Sequence, residues 1–189
     1  MIPVVQSAPP LTADDYRSLP EDGRLYQLIE GDLVVSPAPN RHHQDITLNL
    51  ARILSDYADH HGGAVYVAPF DVYLDEVNVL QPDVLYVSEA RAAQVLADEG
   101  AHAAPDLAVE VLSPSTALRD KNVKRRVYAR AGLAELWLVD PTLRQIQVYR
   151  LTENPDKPVA VIEEFETLVS PLFPGLGIPG EAVFRQRFK

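Results

Sequence analysis

Pro105-Asp106-Leu107-Ala108-Val109-Glu110-Val111-Leu112-Ser113-Pro114 decides how this chain is read. Leu107 to Leu112 is a short apolar run bounded by prolines, the pattern of a buried strand. A glutamate inside such a run is costly unless a hydrogen-bond network, a cation or a metal ion compensates it. Side chains alternate along a strand, so Glu110 shares a face with Ala108 and Leu112, and the small Ala108 leaves room beside the carboxylate. A second acid stands at the head of another apolar run, Gln81-Pro82-Asp83-Val84-Leu85-Tyr86-Val87. Beyond the first run, Asp120-Lys121-Asn122-Val123-Lys124-Arg125-Arg126-Val127-Tyr128 reads as helix. An aspartate, a glutamate and a lysine in that order are the raw material of a site that binds a divalent cation and cuts phosphodiesters.

Outward from these segments, the pattern alternates between short strands and helices. Thr12-Ala13-Asp14-Asp15 opens a helix, with Thr12 as N-cap and an acid three positions on. Leu25–Glu30 and Leu33–Val35 flank a tight turn at Gly31-Asp32, which makes a hairpin. From Arg41 to His61, Ile46, Leu50, Ile53, Leu54 and Tyr57 recur at spacings of three and four, and Gly62-Gly63 stops the helix. Strands are expected at 64–68, 71–74, 83–87 and 107–112. Ser88 and Glu89 open a helix through Ala97, and a further helix runs from Thr116 to Ala131, ended by Gly132. Glu135–Asp140 and Gln145–Leu151 form a hairpin around Pro141-Thr142; a strand at 159–164 precedes an irregular tail. Strand-helix-strand over 107–140 predicts a parallel crossover, and the hairpins predict antiparallel neighbours. The expected fold is α/β, a mixed central β-sheet flanked by helices on both faces, with added β-hairpins. Residues 1–11 read as a flexible segment and 12–189 as one domain.

Composition narrows the function classes. The chain lacks cysteine, which removes disulfides, thiolate zinc sites and cysteine nucleophiles. No apolar run approaches the roughly 18 residues of a membrane helix, and Met1–Ser7 has no secretory pattern, so a cytoplasmic location is expected. The net charge of −10 opposes broad electrostatic binding to nucleic acid. Even so, Arg119, Lys121, Lys124, Arg125, Arg126 and Arg130 gather six of the 17 basic residues on one predicted helix. Such a helix is either a solvated face or a phosphate-facing one.

If the strands carrying Asp83 and Glu110 are neighbours, both carboxylates converge on one ion, and magnesium prefers such hard oxygen ligands. Lys124 borders the apolar stripe Val123–Val127, so its stem can run over the core with the ammonium turned inward. Lys121, three residues earlier, is the alternative, and Arg125 and Arg126 point elsewhere, towards phosphates.

In ordered segments the chain resembles the Uma2 family of the PD-(D/E)XK restriction-endonuclease-like superfamily. The matching pieces are Leu28–Pro37, Gln81-Pro82-Asp83-Val84, Val109–Thr116, Tyr128-Ala129-Arg130-Ala131-Gly132 and Glu135–Pro141. The resemblance implies a restriction-endonuclease-like core and a metal-dependent endonuclease acting on DNA. It implies Asp83 and Glu110 as ligands of Mg2+ or Mn2+. The superfamily's usual lysine position, two residues after the second acid, is occupied by Leu112. The resemblance implies that the lysine has moved to the next helix, where Lys124 matches best. Glu30 matches a family position that adds an acid to the site, and His43 matches another, near substrate. A homodimer acting on two strands is expected by symmetry.

Each residue also has a plainer reading. Pro-Asp before a strand is often only a turn. Asp120 and Lys124 are spaced for a helix-surface ion pair, worth about 0.3–0.5 kcal/mol. Glu30 reads as a solvated hairpin acid, and Trp137 and Tyr128 read as core. The adjacent pairs His42-His43 and His60-His61 diverge on a helix, which argues against a histidine zinc site. Ser113 and Ser115 lack a nucleophile elbow. Two alternatives to a DNA endonuclease stand beside it. One is a binding or assembly module that keeps the fold without turnover; the other is a phosphodiesterase for RNA or nucleotides.

Overall fold

The computed structural model describes residues 9–113 and 120–188. Pro114, Ser115, Thr116 and Arg119, the expected start of the third long helix, and residues 1–8 lie outside the described residues, as does the side chain of Asp120.

The strand over Leu107–Val111 (β9) is at the centre, and its five residues are all buried. It pairs in parallel with Glu135–Asp140 (β10), the crossover expected from the sequence, and antiparallel with Val84–Val87 (β6). Gln145–Arg150 (β11) and Ala160–Glu163 (β12) extend one side and Ala64–Val67 (β3) closes the other, giving the order β12-β11-β10-β9-β6-β3.

Helices cover both faces. The helix Arg41–His61 (α2) has the predicted bounds. The Asn40 side chain accepts from His43 N at 3.0 Å, which caps one orphan donor. At the other end the chain turns at Gly62-Gly63, where a Cβ on Gly63 would sit 2.6 Å from the Val87 carbonyl oxygen. Ile46, Leu50 and Leu54 pack on Val84, Val109 and Trp137. Full burial of each leucine contributes roughly 1.5–3 kcal/mol. The opposite face receives Val127 and Tyr128 from Arg125–Arg130 (α4), against Ala108, Leu136 and Leu138. A regular helix was expected up to this point, but Asp120–Lys124 form a π-helical stretch instead. Its wider turn changes the direction of the side chains that follow.

One sheet was expected; two six-stranded sheets are present among the described residues. The second has the order β2-β1-β5-β4-β8-β7, built from Tyr26–Ile29 (β1), Asp32–Val35 (β2), Val72–Asp75 (β4), Asn78–Leu80 (β5), Leu96–Ala97 (β7) and Gly100–Ala101 (β8). The helix Glu89–Val95 (α3) therefore ends two residues early, because Leu96–Ala97 pair with Gly100–Ala101. The first hairpin turns one residue earlier than read: Ile29 faces Asp32, and Glu30 and Gly31 have φ of 52° and 81°. Two left-handed residues make the primed turn that matches strand twist. In the tail, Thr167–Val169 (β13) and Gly177–Pro179 (β14) pair, and Gly180–Val183 (α5) packs on α2. The short helix Ala13–Arg17 (α1) has the predicted capping box between Thr12 and Asp15. Among the described residues no helix is long and apolar enough to cross a membrane.

One buried acid lies away from the Glu110 face. Glu135 is 1 % exposed; one carboxylate oxygen accepts from the Ser170 hydroxyl and the other has no hydrogen-bond partner among the described residues. Burial pushes its carboxyl above the ordinary value, against a smaller lowering from Ser170.

Candidate active site

Val84 faces Val109 across the β6–β9 ladder, so Asp83 and Glu110 lie at the same end of two adjacent strands. Both line one cavity of about 820 Å3, and Lys124 and His43 line it too. The proline before Asp83 removes a ladder donor, so the chain leaves the sheet there and frees the aspartate to turn back. Its Oδ2 accepts from Val111 N at 2.6 Å and its Oδ1 stands 3.3 Å from His43 Nε2. Asp83 thus ends the strand that carries Glu110. His43, in the first turn of α2, has its Nδ1 3.5 Å from the Thr47 hydroxyl.

Glu110 accepts from Lys124 Nζ at 2.7 Å through Oε2 and from the Tyr128 hydroxyl at 2.8 Å through Oε1. Glu110 and Lys124 are 3 % and 5 % exposed. A buried pair repays its desolvation only with good geometry and further hydrogen bonds, and Tyr128 contributes one. The expected compensation for a carboxylate in an apolar strand is therefore present, from the helix rather than from the strand. Tyr128, read as core, is fully buried and also holds Glu110.

The other expected residues are elsewhere. Glu30 sits in the hairpin turn, 45 % exposed, and pairs with Arg130 at 2.7 Å; it does not line the cavity. Lys121 stands 3.6 Å from Asp140 and Arg125 3.3 Å from Asp156, with the Arg125 guanidinium over the Tyr149 ring. Arg126 is exposed. None of the three lines the cavity.

Three cavity residues escaped the sequence reading. Gln27 is buried; its Oε1 accepts from Gln81 N at 3.1 Å and its Nε2 donates to the Ser36 hydroxyl at 2.8 Å. Gln81 in turn donates to Asp71 Oδ1 at 2.7 Å. In the sequence Gln27 is a single polar residue in a hairpin strand, with no signal of what lies against it. It faces inward because the second sheet turns that side onto the cavity. Asp45, on α2, is also buried at the wall, with Oδ2 lacking a hydrogen-bond partner among the described residues.

Among the described residues no three histidine or acidic side chains converge to cage an ion. The donor set is smaller and harder: two carboxylates from neighbouring strands on one cavity. It fits Mg2+, which keeps several waters and takes one or two carboxylates, better than Zn2+.

Residues 13–181 match the model of the Uma2 family, described as "Putative restriction endonuclease". An uncharacterized protein of Synechocystis is 27% identical over 156 residues, 78% of each chain. The crystal structure of a "putative nuclease belonging to DUF820" from Anabaena variabilis matches with a TM-score of 0.75. It covers 93% of this chain and 98% of that one at 21% identity. The restriction-endonuclease-like α/β fold expected from the sequence is the fold the two chains share.

Proposed function

The chain belongs to the Uma2 family, and from that premise we propose that it is a divalent-cation-dependent DNA endonuclease. One observation supports this reading above the others: Asp83, Glu110 and Lys124, from three separate elements, line one cavity. Asp83 and Glu110 would hold Mg2+ or Mn2+. When bound, such an ion acidifies a water and offsets charge developing on phosphate.

The remaining work falls to the chain. Hydrolysis joins a water oxygen to phosphorus and breaks one P–O ester bond; the water gives up a proton and the departing oxygen gains one. Lys124, fixed by Glu110, places an ammonium beside the phosphate oxygens, where negative charge grows. Tyr128 keeps Glu110 oriented, and the Val111 amide keeps Asp83 oriented. His43 approaches Asp83 from α2 and is placed to meet a phosphate or the attacking water. A homodimer in the cytoplasm completes the proposal.

Plasmid nicking in magnesium tests it, with wild type, Asp83→Ala and Glu110→Ala side by side. Loss of nicking in both variants and in chelator is the expected result. Equal activity in all three proteins refutes the assignment.

A second reading has its own observation. Both Glu110 oxygens already accept hydrogen bonds and Leu112 stands at the usual lysine position, as in a module that keeps the fold without turnover. Calorimetric titration with Mg2+ and Mn2+ separates the two, since the module releases no heat with either.

A further inference from the structure

The cavity wall and the placement of cations narrow the substrate of the proposed nuclease. Besides Asp83 and Glu110 the cavity is lined by polar side chains such as Asp45 and Thr47 and by an apolar set, Leu48 and Ala51 from α2 with Val67 and Ala68 at the end of β3. The basic helix is largely committed elsewhere, with Lys121 on Asp140, Arg125 on Asp156 and Arg130 on Glu30. Of a second group of cations, Arg41 lines the cavity, and Arg185 and Arg187 lie beyond its lining. Arg41 donates to the Phe188 carbonyl at 3.2 Å, while Arg187 donates to Asn49 Oδ1 at 2.9 Å. The chain from Arg185 to Phe188 therefore runs along α2 towards Arg41, with Arg185 and Arg187 exposed.

An intact duplex keeps its bases stacked inside and offers only backbone to such a site. It has nothing to place against an apolar wall, and it needs a broad basic surface that a chain of net charge −10 lacks. An unpaired nucleotide offers a base face for the wall and a few phosphates for a short row of arginines.

We infer that the cavity accepts an unpaired nucleotide of a single DNA strand, its base on Leu48, Ala51, Val67 and Ala68 and its flanking phosphates on Arg41, Arg185 and Arg187. This rests on the phosphodiester reading above.

Fluorescence anisotropy in chelator tests it without turnover, comparing a short labelled strand with the same sequence as duplex. The strand is expected to bind at least about tenfold more tightly, a difference of about 1.4 kcal/mol. Ala51→Trp fills the wall and should weaken strand binding by about tenfold at an unchanged melting temperature. The exposed double variant Arg41→Ala/Arg187→Ala should lower the salt slope by about 1.4, roughly 0.7 for each phosphate of a single strand left without its arginine. Duplex binding as tight as the strand, or an unchanged salt slope, overturns the inference. Strand binding without cleavage of any DNA overturns the nuclease reading and leaves this one standing.

Discussion

Lys124→Met is the most informative single change. Methionine keeps roughly the volume of the stem and removes the ammonium, so Glu110, 3 % exposed, loses the cation 2.7 Å away. Breaking a buried pair from one side costs about 3–5 kcal/mol, because the remaining buried charge loses an ion partner. The Tyr128 hydrogen bond survives and moves the expectation to the lower end, about 3 kcal/mol. In a domain of this size that is a fall of about 6–12 °C in melting temperature, at about 2–4 °C per kcal/mol. Glu110→Gln/Lys124→Met should recover most of the loss, with a coupling energy of about 2 kcal/mol in the double-mutant cycle. Urea melts of the four proteins decide the matter. A single-variant loss below about 1 kcal/mol, or a coupling near zero, refutes the claim that this pair holds the site together.

Asp83→Asn keeps an acceptor for Val111 N, so it should fold with a loss of about 1 kcal/mol or less while the heat of Mg2+ binding in calorimetry disappears. Glu30→Ala and Arg130→Ala each break an exposed pair and should cost about 0.5 kcal/mol with nicking unchanged; loss of nicking in Glu30→Ala alone would return that acid to the site. Glu135 has its carboxyl raised by burial above 4.5, so the folded protein holds that proton more tightly than the unfolded chain does. Its contribution to stability is present below about pH 4.5 and is lost as pH rises through the folded value. Glu135→Gln should remove this decline, which thermal melts at a series of pH values would read as a flatter profile.

Much of this is legible in the sequence. Glu110 stood out because a carboxylate between valines requires a partner, and Lys124 because its position on the apolar stripe pointed it inward. The long helix was readable from the spacing of Ile46, Leu50, Ile53, Leu54 and Tyr57 and from Gly62-Gly63. What escaped was non-local. Leu96–Ala97 and Gly100–Ala101 carry too few residues to show a period, so β7 and β8 merged with the preceding helix and loop. Gln27 gave no sign of facing the cavity, because alternation says which residues share a side and not what lies against that side. Glu30 failed to reach the cavity for a backbone reason: the primed turn takes it as a loop residue and directs it to Arg130.

The bond between the Gln27 side chain and the Gln81 backbone joins the first strand of one sheet to the segment that leads into Asp83 of the other. The cavity that Gln27, Gln81, Asp83 and Glu110 line thus takes residues from both sheets, and this amide contact joins them. Loosening that clasp would leave both layers folded yet widen the mouth, so a protein altered at Gln27 can stay intact and still lose its grip on whatever enters.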